Sequence, residues 1–156
     1  MRRAFANSLL RHALLDDRIW LITADLGYKM FDQFRGMVPE RFVNVGAAEQ
    51  TMLDVAVGLA LDGKVPFTYT ISPFYYRGFE TIRTYIAHEK LHVVMVGSGR
   101  NGDYEHDGFS HDAWDIPWIM QTLHVKKYFP EKKEEIPNVL TSVLADPGPS
   151  FVSLRR

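Results

Sequence analysis

The chain of 156 residues contains no cysteine, which excludes disulfides and thiolate metal sites. It has no surplus of basic charge either. Lys and Arg number 18 against 19 Asp and Glu, a formal net charge of -1, so there is no electropositive field to draw in nucleic acid or an anionic membrane. No apolar run approaches the length of a membrane span. The first residues, Met1-Arg2-Arg3-Ala4-Phe5, lead into an amphipathic pattern and lack the apolar core of a signal peptide. Internal repeats, linkers and low-complexity tracts are absent too. These absences point to a soluble, cytoplasmic protein, and the length points to one domain over residues 1–156 with a substantial core.

Aromatic residues, by contrast, reach 13% of the chain. Tyr69, Phe74, Tyr75, Tyr76, Phe79 and Tyr85 crowd together, and Trp114 lies close to Trp118, a density that suggests a binding site or a subunit interface. In chain order, the apolar spacing predicts a helix over 3–16, a buried strand over 18–24, a short helix over 28–38 ended by Pro39 and a short strand over 42–45. A helix over 51–61 stopped by Asp62-Gly63 follows, then a strand over 65–71, a helix over 74–88 and a strand over 91–96. Residues 97–112 are polar and without periodicity. A helix over 114–123, a strand over 125–129, a helix from Pro130 through 144 and a strand over 151–154 complete the pattern. Strands alternating with helices predict an α/β fold: a parallel sheet covered by helices on both faces. Ligands of such folds gather at the carboxyl ends of the strands. That is where Asp25-Leu26-Gly27, the turn before Glu49, Ser72–Phe74 and the 97–112 loop fall.

Several motifs fall in these loops. Gly97-Ser-Gly-Arg-Asn-Gly102 matches G-x-G-x-x-G after a strand, yet an anionic, non-helical stretch follows where a dinucleotide site needs a helix N-terminus. Gly108-Phe109-Ser110-His111-Asp112 approaches a nucleophile elbow but ends in Asp and does not run into a helix. Glu105, His106, Asp107, His111, Asp112 and Asp115 could ligate a metal, although their spacing fits no H-E-x-x-H pattern. Asn44-Val45-Gly46-Ala47-Ala48-Glu49-Gln50 is different. It places a carboxylate at a strand-to-helix turn among small residues, where another molecule can approach and water is scarce. A Glu so placed is suited to carry a proton near neutrality.

Taken together and in order, these segments resemble the pyrimidine-binding domain of the transketolase family of thiamine-diphosphate enzymes. The stretch 44–50 is similar to the family's G-I-A-E-Q, preceded by Ala24-Asp25-Leu26 and Pro39-Glu40-Arg41-Phe42. Phe74-Tyr-Tyr-Arg-Gly-Phe-Glu-Thr-Ile-Arg83 resembles F-x-x-R-A-F-D-Q-I-R, and Glu105-His-Asp-Gly-Phe-Ser-His111 resembles E-D-G-P-T-H. The resemblance implies that Glu49 hydrogen-bonds N1′ of the cofactor's aminopyrimidine and promotes loss of the proton from C2 of the thiazolium. It implies that Phe74, with Ile71 or Tyr75, packs on the pyrimidine, and that Asp25 lies near the cofactor and the domain interface. Asp107 and His111 would approach substrate hydroxyl and carbonyl oxygens, and Arg77 an anionic substrate group. The chain departs from the family at Phe109-Ser110, which replace Pro-Thr, and at His106, which replaces an acidic residue. Ile71 stands where many members have Phe, and Gly99 where the family has a substrate-handling His.

No G-D-G motif is present, since Tyr104 follows Gly102-Asp103. The resemblance therefore implies a partner chain whose G-D-G…N domain holds Mg2+ and the diphosphate, in a self-associating hetero-oligomer, a heterotetramer with two chains of each kind. The implied activity is transfer of a ketol or aldehyde unit from a sugar-like or 2-oxo-acid donor to a sugar-like acceptor. Two alternatives stay open: a non-catalytic interaction subunit that retains the fold, and a metal-dependent enzyme using the His106–Asp115 loop.

Overall fold

The computed structural model describes all residues, Met1–Arg156. Helix α1 (Arg2–Ala13) leads into β1 (Ile19–Thr23), and α2 (Asp32–Met37) precedes β2 (Phe42–Asn44). Helix α3 (Glu49–Leu61) is followed by β3 (Val65–Ile71), a 3-10 segment Ser72–Gly78, the single turn α4 (Phe79–Thr81) and a π-turn Ile82–Ala87. Then come β4 (Val94–Ser98), α5 (Ile116–Thr122), β5 (Lys126–Tyr128), α6 (Ile136–Ala145) and β6 (Ser150–Leu154). The six strands form one sheet in the order β2-β1-β3-β4-β6-β5, and every pairing is parallel. The outermost strands, β2 and β5, are three residues long each.

Side chains alternate across the pleat, so each strand feeds two cores. On one face Leu21, Phe67, Val96 and Val152 pack against Phe5 and Leu9 of α1, Phe34 of α2 and Leu140 of α6. On the other, Ile22, Met95 and Phe151 pack against Met52 and Leu53 of α3 and Met120 of α5. Each such fully buried apolar side chain contributes roughly 1.5–3 kcal/mol. The α/β expectation holds.

The largest local difference from expectation is at 74–88, where one α-helix was predicted. Pro73 opens a tight 3-10 segment, and the chain becomes π-helical after one α turn. The cause lies in close packing against α3. A Cβ on Gly78 would overlap Leu53, so the bare backbone at Gly78 lets the segment press onto that helix. Across the contact Gln50 Nε2 donates to Asp54 Oδ1 (2.9 Å) and to Thr81 Oγ1 (2.7 Å), and Thr81 Oγ1 donates to Asp54 Oδ1 (2.8 Å). Ser72 Oγ ties the other end to the tip of β4 by donating to the Gly99 carbonyl at 2.7 Å. Smaller differences are a later start for α2, at Asp32, and a strand β4 shifted toward Ser98.

Candidate cofactor and substrate site

Glu49 is the first residue of α3 and is only 3% exposed. The helix N-terminus and the small side chains of Ala47 and Ala48 favour a carboxylate there. Its hydrogen-bond partner is Arg77, whose Nη1 donates to both carboxylate oxygens at 2.7 Å. In a 3-10 helix, residues three apart eclipse one another. Arg77 accordingly lies over Phe74, its Cζ 4.0 Å from the ring centroid. The His111 ring meets Phe74 edge-on with centroids 5.1 Å apart, and Ser110 Oγ lies 3.0 Å from His111 Nδ1. Glu49, Phe74, Arg77 and His111 thus converge from three chain segments. A cleft of about 230 Å3 runs beside them, lined by Phe74, Arg77, Phe109 and Asp115 among others.

Asp25 stands exposed at the carboxyl end of β1 in a left-handed conformation, φ 52°. Asp107 is exposed in the loop that carries His111, its N–H donating to the Tyr104 carbonyl. Ile71 closes β3, 9% exposed. Tyr75 requires a correction, because it faces the core and not a ligand. Its ring packs edge-on to Phe151, and its hydroxyl lies 2.9 Å from Thr68 Oγ1, 3.1 Å from Thr68 O and 3.2 Å from Val96 O. Burial pushes its phenol pKa well up. Of three successive rings, the tight turn sends the second inward and leaves the first at the site.

Two contributors were not singled out from the sequence. Asn44 Oδ1 accepts the N–H groups of Asp25 (3.1 Å) and Gly46 (3.0 Å), clipping together the loops that follow β1 and β2. An Asn at a strand end two residues before a Gly turn is a weak signal for this. Tyr104 fills the space beside Gly99, where a Cβ would overlap its ring. No signal in the sequence links these two positions.

The 105–115 loop forms two short 3-10 turns, Glu105–Asp107 and Phe109–His111, and no three of its His, Asp or Glu side chains converge as metal ligands. The metal-dependent alternative loses its donor set. Likewise Gly97 lies inside β4 and no helix starts after Gly102, so the dinucleotide fingerprint has no structural counterpart. A separate cavity of about 290 Å3 lies beyond Ser72 beside Arg100. That guanidinium is already engaged by Glu131, Pro130 and Ser153.

The donor set fits an aminopyrimidine: a dry carboxylate for a ring nitrogen and an aromatic face for the ring. No group of three or more His, Asp or Glu side chains is placed to hold a metal ion.

The parallel α/β sheet thus carries a buried carboxylate and an aromatic ring at its carboxyl edge, where ligands of such folds gather. The family described as "Transketolase, pyrimidine binding domain" matches residues 1–156, and the chain belongs to it. Over all of its length the chain is 32% identical to the 6-deoxy-6-sulfo-D-fructose transketolase subunit SqwH of Clostridium sp. (strain MSTE9), covering 49% of that protein. It is 31% identical to the putative transketolase C-terminal section of Methanocaldococcus jannaschii, covering 50% of it. A solved structure described as a split gene transketolase, inactive beta4 tetramer, superposes with a TM-score of 0.88 at 30% identity, over 99% of this chain and 50% of that one. The chain therefore spans about half the length of these relatives. No helix is long and apolar enough to cross a membrane.

Proposed function

We propose that this chain is the pyrimidine-binding part of a split, thiamine-diphosphate-dependent transketolase-like enzyme that transfers a ketol or aldehyde unit to a sugar-like acceptor. Family membership supports the cofactor, and the buried Glu49 carboxylate, joined through Arg77 to the Phe74 ring, is the observation that carries the reading. When bound, thiamine diphosphate supplies a carbon nucleophile and an electron sink. Glu49 would hydrogen-bond the N1′ ring nitrogen of the pyrimidine and hold or release a proton there, in a pocket shielded from water with Asp25 and Ile71 at its margins. Phe74, covered on one face by Arg77, would offer its other face to that ring. Arg77 keeps the Glu49 carboxylate aligned and presents its remaining N–H groups toward an anionic substrate group. His111, its ring held by Ser110 and Phe74, and Asp107 on the same loop address substrate oxygens.

The diphosphate and Mg2+ belong, on this reading, to a partner chain with a G-D-G…N domain. The split-gene neighbour, an inactive beta4 tetramer, supports both self-association and the need for such a partner. So do the exposed rings of Phe109, Trp114 and Trp118, which offer an aromatic surface next to the cleft. The protein would act in the cytoplasm on a small sugar or 2-oxo-acid.

The test is titration of thiamine diphosphate and Mg2+ into the co-expressed pair, with wild-type chain and with Glu49→Gln. The variant is expected to assemble normally and to lose turnover by at least about 100-fold, the scale of a lost proton-transfer group. Full turnover by Glu49→Gln, or by this chain without a partner, would overturn the proposal.

A further inference from the structure

Gly99 leaves β4 in the left-handed region, φ 87°, and a Cβ there would overlap the ring of Tyr104. Residues with side chains disfavour that φ, so position 99 is kept bare by its backbone and by its neighbour together. The ring that uses the space is only partly buried. Its hydroxyl lies 2.9 Å from Ser98 Oγ, and the Arg156 guanidinium sits 5.0 Å from the ring centroid. On the site side, the His111 ring is 6.2 Å away, centroid to centroid, and His111 in turn touches Phe74. Phe74, His111 and Tyr104 form one wall running from Glu49 along the carboxyl ends of β3 and β4.

A tyrosine used for packing alone looks different in this chain. Tyr75 is 1% exposed and its hydroxyl has three protein partners. Tyr104 shares its hydroxyl with one other hydroxyl. Ser98 is 2% exposed, so it is the partly exposed Tyr104 oxygen that keeps a lone pair, and its proton when Ser98 donates, for a further partner. That is the equipment for recognising a neutral, hydroxylated ligand.

We propose that Tyr104 is a specificity-determining residue whose phenol, backed by Ser98, hydrogen-bonds a hydroxyl of a polyhydroxylated substrate beyond His111, and that Gly99 is bare in order to admit it. The inference rests on reading the Glu49–Phe74–His111 cluster as the transfer site. Recognition at this end is by neutral hydroxyl groups, so a longer sugar aldehyde gains a contact that a two-carbon aldehyde is too short to make.

The test uses the chain reconstituted with its partner, thiamine diphosphate and Mg2+, offered glycolaldehyde or D-erythrose as acceptor. Tyr104→Phe removes one oxygen and keeps the ring. It is expected to raise KM for D-erythrose about five- to tenfold more than KM for glycolaldehyde, the loss of one neutral hydrogen bond, with a smaller change in kcat. Gly99→Ala, which displaces the ring, should shift the same ratio in the same direction. A parallel readout, independent of turnover, is calorimetric titration of D-erythrose into the same complexes, where Tyr104→Phe should weaken binding by a similar factor. An equal effect on both aldehydes, or D-erythrose binding that Tyr104→Phe leaves unaltered or that the wild-type complex lacks, would overturn the assignment. Absence of turnover in the wild type with unaffected D-erythrose discrimination in the titration would instead count against the transfer reading alone.

Discussion

At the scale of single residues, the Glu49–Arg77 pair is asymmetric, with side chains 3% and 52% exposed. Removing the exposed member strands the buried one. Arg77→Ala should destabilise the fold by about 1–3 kcal/mol, the cost of an unsatisfied buried acceptor. The double variant Arg77→Ala/Glu49→Gln should recover part of that loss in urea denaturation, and strictly additive effects would show that the two side chains do not depend on each other. Asn44 poses a different question, because a single side-chain oxygen holds both the Asp25 loop and the Gly46 turn. Asn44→Asp keeps an acceptor and Asn44→Ala does not. Amide hydrogen exchange at Asp25 and Gly46 should rise at least about tenfold in the Ala variant, from the loss of roughly one hydrogen bond at each, and change less in the Asp variant. Unchanged exchange in the Ala variant would remove Asn44 from the account of the site.

Among the elements, α3 and the segment from Ser72 through α4 act as one piece, joined by the Gln50–Asp54–Thr81 triangle and the close approach at Gly78. The first carries Glu49 and the second carries Phe74 and Arg77, so the distance between carboxylate and ring is set by that contact. Gly78→Ala should cost about 1–3 kcal/mol through overpacking against Leu53, and the companion Leu53→Ala should relieve the clash while opening a cavity of its own. Thermal denaturation of the single and double variants measures this. The sequence reading placed this segment correctly as the ring-bearing element but gave it the wrong helical geometry. Propensity and periodicity describe a helix on its own, whereas the 3-10 turn here is imposed by a glycine pressed on a neighbouring helix. For the same reason Tyr75 was grouped with the site. Residue identity does not distinguish it from Phe74, and only the tighter winding decides which ring turns inward.

For the whole molecule, the α/β alternation, the parallel sheet and the location of Glu49 were legible, because buried runs and helix starts are local in sequence. The Asn44 clip and the Gly99–Tyr104 fit join residues whose relation exists only after folding. The C-terminal strand is held in a comparable way: Arg100 Nη1 donates to Glu131 Oε1 at 2.7 Å, and Arg155 Nε donates to Glu131 Oε2 at 3.2 Å. The neighbouring Arg100 charge and the Arg155 hydrogen bond hold the Glu131 carboxyl below its ordinary value of 4.5. A depressed carboxylate contributes its stability above that ordinary value and loses it as pH falls through the lower, folded one. Wild type should therefore exceed Glu131→Gln in urea resistance at neutral pH, and the gap should close in acid below 4.5. A gap that persists undiminished there would assign the effect to packing. The short outer strands have a further consequence for how this molecule meets others. With three paired residues at each margin, β2 and β5 offer too little free backbone to template another strand. Joining by continuation of the sheet is therefore disfavoured, which protects the protein from growing into a continuous ribbon when crowded.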